Sequence, residues 1–122
     1  MAAPNIVNVS SILGKTRGQP LTTTTTAGIL TCSSDKVLKI NSIIVSNVDG
    51  SNSADATIAF YDNDVSTTYH LAKTVTVPND ATLIVVGKDA PIYLEESDEI
   101  RGGASADNDL EVVISYEELD DA

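Results

Sequence analysis

Apolar and polar positions alternate most clearly between Ala81 and Leu119. Three apolar blocks lie there: Leu83 to Val86, Ile92 to Leu94 and Leu110 to Tyr116. In the third, Leu110, Val112, Ile114 and Tyr116 alternate with Glu111, Val113, Ser115 and Glu117. A period of two marks a strand with one buried face, whereas a helix needs apolar residues three and four apart. Val113 interrupts the alternation, so the outer face of that strand is expected to be partly covered. The pieces between the blocks are Glu95-Glu96-Ser97-Asp98-Glu99, Arg101-Gly102-Gly103 and Asp107-Asn108-Asp109, and all three read as turns.

The rest of the chain repeats the pattern in shorter form. Ala27 to Cys32 is a short strand, and Lys36 to Val48 is the longest one expected. On it Leu38, Ile40, Ile44 and Val48 share a face with Ser42 and Ser46, and the hydroxyls suggest a bulge or bend. Asp49-Gly50-Ser51-Asn52-Ser53 is a turn carrying the Asp-Gly hairpin signal. Ala56, Ile58 and Phe60 alternate with Thr57 and Ala59. Tyr69, Leu71, Val75 and Val77 share a face with Lys73, which suits an edge strand with its stem along apolar surface. The pattern predicts about eight short strands and no helix, an all-β fold of the antiparallel β-sandwich or jelly-roll kind.

Ile6, Val7 and Val9 predict an extended segment after Pro4. Gly14 to Thr26 contains Gly14, Gly18, Pro20 and five consecutive threonines. Gly and Pro break regular structure while β-branched residues favour extended backbone, so this stretch reads as a surface connection alongside a sheet edge. The organisation expected is an N-terminal arm and connection over residues 1–26 and a β-sandwich domain over 27–122. Two roles stay open for the arm. It is either the first strand of its own sandwich or a segment that adds a strand to a neighbour's sheet. In the second case Asn5, Ile6, Val7, Asn8 and Val9 are the partner-binding residues.

A chain of 122 residues is long enough for one two-layer core. Aromatics are few and Trp is absent, so the core must come from Val, Ile, Leu and Ala. The net charge of −11 opposes phosphate backbones and anionic membranes, and no nucleic-acid or membrane partner is expected. No secretory signal is visible and no apolar run is long enough for a membrane span. One cysteine allows no intrachain disulfide, and folding inside a cell is expected.

Reactive constellations are not legible. His70 is the one histidine and lacks a nucleophile motif beside it. Cys32 lies in a strand, without an electropositive setting that would activate it. Asp62-Asn63-Asp64-Val65-Ser66 begins like an EF-hand loop, but Thr67 stands where Gly is needed and Lys73 where Glu is needed. Asp107, Asp109 and Glu111 fail the same test, because Val112 takes the Gly position inside a strand. A calcium site of another kind between loops stays open. No enzyme and no cofactor are expected.

Several segments carry a resemblance. They are Asn5 to Val9, Gly14-Lys15-Thr16, Lys39 to Gly50, Tyr69 to Pro78, Ile92 to Arg101 and Val113 to Glu118. Together the chain resembles small virion structural proteins of tailed bacteriophages, particularly contractile-tailed phages that infect cyanobacteria. The resemblance implies a capsid decoration or cement subunit on the outer head surface, made in the cytoplasm of a bacterial host and carried in the virion. Its partners would be other virion proteins, the major capsid protein first, and further copies of itself, with a trimer among the forms. A neck, tail, baseplate or fibre-attachment component is the alternative within that class, and a ligand-binding β-sandwich module the alternative outside it. The family pattern has Gly where Ser97 stands, which puts the geometry of that turn in question.

Overall fold

The computed structural model describes residues 9–121, with side chains from 11 to 120. Among the described residues nine strands follow one another: β1 (Val9–Pro20), β2 (Gly28–Thr31), β3 (Lys36–Asn47), β4 (Ala54–Asp62), β5 (Thr67–Val77), β6 (Thr82–Val86), β7 (Ile92–Leu94), β8 (Glu99–Ala104) and β9 (Leu110–Asp121). They form two antiparallel sheets, a β-sandwich. The first has the order β1-β9-β3-β6, with β7 also on β3, and the second β2-β8-β4-β5.

The inward rows of the two sheets make one aliphatic core. Leu38, Ile40, Ile43, Val45, Leu110, Val112 and Ile114 come from the first sheet, and Ile29, Ala56, Ile58 and Ile100 from the second. The alternation expected for β9 holds, since Leu110, Val112, Ile114 and Tyr116 are buried. Val113 faces out and is 37% exposed.

Four expectations are corrected. First, Gly14 to Pro20 is no connection. It continues β1, paired with β9 from Val9 opposite Asp121 to Pro20 opposite Glu111. Extended backbone is all a ladder needs, and Gly and Pro are tolerated at a sheet margin where inward packing does not select the residue. Second, Arg101-Gly102-Gly103 lies inside β8 rather than in a turn. A Cβ on Gly102 would stand 2.5 Å from the Thr57 carbonyl oxygen, and one on Gly103 would stand 2.7 Å from those of Thr22 and Thr24. These glycines serve close backbone approach within a buried strand.

Third, Asp49-Gly50 turns the chain without making a hairpin, because β3 and β4 belong to different sheets. Asn47, buried at the corner, holds the crossing. Its Nδ2 donates to the carbonyls of Asn52 at 3.0 Å and Val77 at 2.9 Å, and its Oδ1 accepts from the Asp49 amide at 2.9 Å. Fourth, the face assigned to β3 is right only for Leu38 and Ile40. The register shifts between Ile40 and Ser42, so Ile43 and Val45 turn inward while Ile44 and Val48 turn out. One extra residue in a strand reverses every side chain after it.

Candidate interaction surface

Strand β1 is the long margin of the first sheet, as β5 is of the second. It pairs with β9 on one side, and among the described residues no strand lies on the other. Most of its side chains from Ile12 to Pro20 are exposed, whichever face they take. Ile12 is 58% exposed on the outer face and Leu13 47% exposed on the inner-face side. Directly opposite on β9, the register partners Ile114 and Val112 of Arg17 and Gln19 are fully buried.

The orientation of the β1 backbone follows from the ladder. The Leu21 amide donates to the Leu110 carbonyl at 2.8 Å, next to the Pro20–Glu111 pair. Antiparallel pairs alternate between bonded and non-bonded, so Leu13, Lys15, Arg17 and Gln19 face β9 with their amides. Ile12, Gly14, Thr16 and Gly18 then aim theirs at the open margin. Pro20 falls in the same set, and its missing N–H costs the ladder nothing.

Charge is distributed unevenly. The described stretch of β1 has two cations, Lys15 and Arg17, and no acid, on a chain of net charge −11. Lys15 Nζ reaches Glu118 at 3.2 Å, and Lys36 Nζ bridges Glu118 at 3.7 Å and Asp120 at 3.0 Å. This row ties β1, β9 and β3 together. The hydrogen bond to Asp120 is the main reason the Lys36 ammonium sits above its ordinary range. Arg17 donates to Gln19 Oε1 at 3.2 Å and forms no ion pair with a carboxylate among the described residues.

Of the residues singled out in the N-terminal segment, Asn5, Ile6, Val7 and Asn8 lie outside the described residues. Val9 opens β1 opposite Asp121. From Val9 onward, then, the segment is a strand of its own sheet.

The candidates for chemistry are dispersed. His70 is exposed on β5, opposite Ala59. Cys32 is buried, and its thiol donates to the Lys36 carbonyl at 3.2 Å. Burial, the largest influence, pushes that thiol up to about 11, so it stays protonated at neutral pH. In the Asp62–Thr67 loop, Asp62 Oδ1 accepts the Asp64 amide at 3.0 Å. Asp107 Oδ1 accepts the Thr23 amide at 2.9 Å. Asp62 thus fixes its own loop, and Asp107 ties the β8–β9 turn to the threonine-rich loop after β1. No group of three or more His, Cys, Asp or Glu among the described residues is placed to hold a metal ion.

Sequence reasoning passed over Asp98, a buried carboxylate. Its Oδ2 accepts the Glu95 amide at 3.0 Å and its Oδ1 the Asn63 amide at 3.0 Å, clipping the β7–β8 turn to the β4–β5 loop. Within that turn Ser97 has φ 67°, the left-handed region that favours glycine. Comparison with protein-family models, curated proteins and solved structures finds no match to this chain.

Proposed function

We propose that the chain is a non-enzymatic structural subunit of a phage virion, a decoration or cement protein on the outer head surface. The observation that carries this is the virion-protein resemblance spread over nearly the whole sequence. Two features support it. At Ser97, where the resemblance asks for Gly, the backbone occupies the left-handed conformation that Gly favours. Among the described residues, the segments that carry the resemblance also fall on strands and corners across both sheets, including β3, β5, β7 and β9, instead of converging on a pocket.

The physical logic of the role is attachment with repulsion elsewhere. A strongly acidic exterior keeps crowded copies soluble and apart. The sparsely acidic β1 margin is where such a subunit meets a neighbour. The test is the copy number in purified particles of the phage that encodes the chain, read from gel band intensities. A number comparable with that of the shell protein is expected. A number tens of times lower moves the subunit to the neck, tail or baseplate, and absence from particles overturns the virion role.

A further inference from the structure

A sheet margin presents a row of backbone donors and acceptors, and folded proteins blunt such margins by shortness, bulges or charge. Three of the strands at the margins of this sandwich are short: β2, β6 and β7 have 4, 5 and 3 residues. The long margin of the second sheet, β5, is distorted. Its register with β4 shifts twice, between Ala56 and Ile58 and between Ile58 and Ala59. Thr74 stands at φ 47°, a conformation a β-branched residue rarely adopts, with exposed Lys73 beside it. β1 has one register shift with β9, at its start between Val9 and Ser11, and none beyond it. It runs 12 residues, and its register with β9 is unbroken from Ser11 to Pro20. Its cation Lys15 is drawn back onto Glu118, and its proline closes the strand.

We infer that two copies of this chain pair through β1, antiparallel about a two-fold axis, joining their first sheets into one continuous sheet. The occupant follows from self-complementarity. The open backbone groups belong to Ile12, Gly14, Thr16 and Gly18, so only registers that pair even-numbered residues with one another form bonds. Centring on Thr16 sets Lys15 against Arg17 of the second copy. The register between them sets Lys15 against Lys15. Centring on Gly14 avoids both: Ile12 faces Thr16 and Leu13 faces Lys15 of the second copy. That register covers Ile12 and Leu13, the large apolar side chains exposed on the described part of the strand, one on each face. It places Gly14, with no other group within 4 Å of where a Cβ would stand, at the axis. It also joins two acidic molecules along a strand that carries no acid in its described length. An isologous contact of this kind closes at two copies. The pairing stands or falls independently of any role in a particle.

The experiment is sedimentation of the full chain over a range of concentrations, with two variants. The chain itself is expected to reach a dimer. Thr16→Pro removes an N–H aimed at the open margin and none of the β9 ladder, so it should raise the dimer dissociation constant at least about tenfold, with an unchanged circular dichroism spectrum. The double variant Leu13→Cys, Lys15→Cys places thiols at a non-bonded pair, where Cα atoms lie about 4.5 Å apart. Mild oxidation is expected to convert it to a covalent dimer, and this readout decides the matter if Thr16→Pro fails to fold. A chain that stays monomeric, a closed trimer, a dimer unaffected by a folded Thr16→Pro, or a folded double variant that yields no covalent dimer each overturns the inference.

Discussion

Strands β1 and β9 share one ladder and one length, 12 residues each, yet they are held by different forces. β9 lies between β1 and β3 and buries Leu110, Val112 and Ile114 completely. Each such side chain contributes roughly 1.5–3 kcal/mol through removal of apolar surface from water. β1 buries none of its described side chains and is held by backbone hydrogen bonds and the Lys15–Glu118 pair. An exposed pair of that kind is worth about 0–1 kcal/mol. Burial therefore dictates sequence along β9, while β1 is constrained only to be extended. A strand whose sequence the fold does not dictate is available to be chosen for something outside the fold.

The largest expected effect contrasts Ile114 with Arg17, its partner in register. Ile114→Asp places an unpaired charge in the core and should lower unfolding free energy by about 3 kcal/mol or more. Arg17→Asp should change it by less than about 1 kcal/mol. Chemical denaturation of the two variants under dilute conditions checks this, and equal midpoints would erase the distinction between the strands.

Proline sharpens the contrast within β1 itself. Lys15→Pro deletes an amide that faces β9 and should cost about 1–3 kcal/mol. Thr16→Pro, one residue on, deletes an amide that faces outward and should cost clearly less in the isolated chain. If thermal melts rank the two the other way, the assignment of which groups face the margin is wrong.

Cys32 probes the interior by pH. Its folded value of about 11 lies above the ordinary thiol value of 9.0, chiefly because of burial. A raised value means the fold favours the protonated form. The associated stability is present below about pH 9 and is lost as pH rises toward about 11. Cys32→Ser should flatten that loss, and the native thiol should resist Ellman's reagent at pH 8. Rapid labelling of the folded chain would contradict the burial.

The smallest effect lies outside both strands. Ser97→Gly relieves a left-handed backbone and should raise stability by about 0.5–1 kcal/mol. A lower melting temperature for this variant would show that the Ser97 side chain contributes more than its backbone costs.

How much of this was legible in the sequence follows from the same contrast. Where a side chain meets the core, as on β9, its period of two could be read directly. The run Glu99–Ala104 could not, because its selection was for the absence of a side chain at Gly102 and Gly103, and a paired glycine reads as a turn. On β3 the serines announced a bend, but not which side of it the parity changes. The Asp-Gly turn was visible, while its destination depended on the Asn47 contacts with Asn52 and Val77, which are distant in sequence or made to backbone. Gly14 to Pro20 reads as a connection because residues exposed on both faces leave no period at all. The chemistry of its margin is in the backbone, and an amino-acid sequence does not spell out which amides are left over.

Amide hydrogen exchange along β1, at low and at high protein concentration, tests the central claim most directly. In dilute solution Leu13, Lys15, Arg17 and Gln19 are expected to be protected, and Ile12, Gly14, Thr16 and Gly18 to exchange rapidly. On concentration, the amides of Ile12, Gly14 and Thr16 should become protected while those of β9 change little. Fast exchange of these three at every concentration would contradict the account, as would uniform protection along β1 in dilute solution.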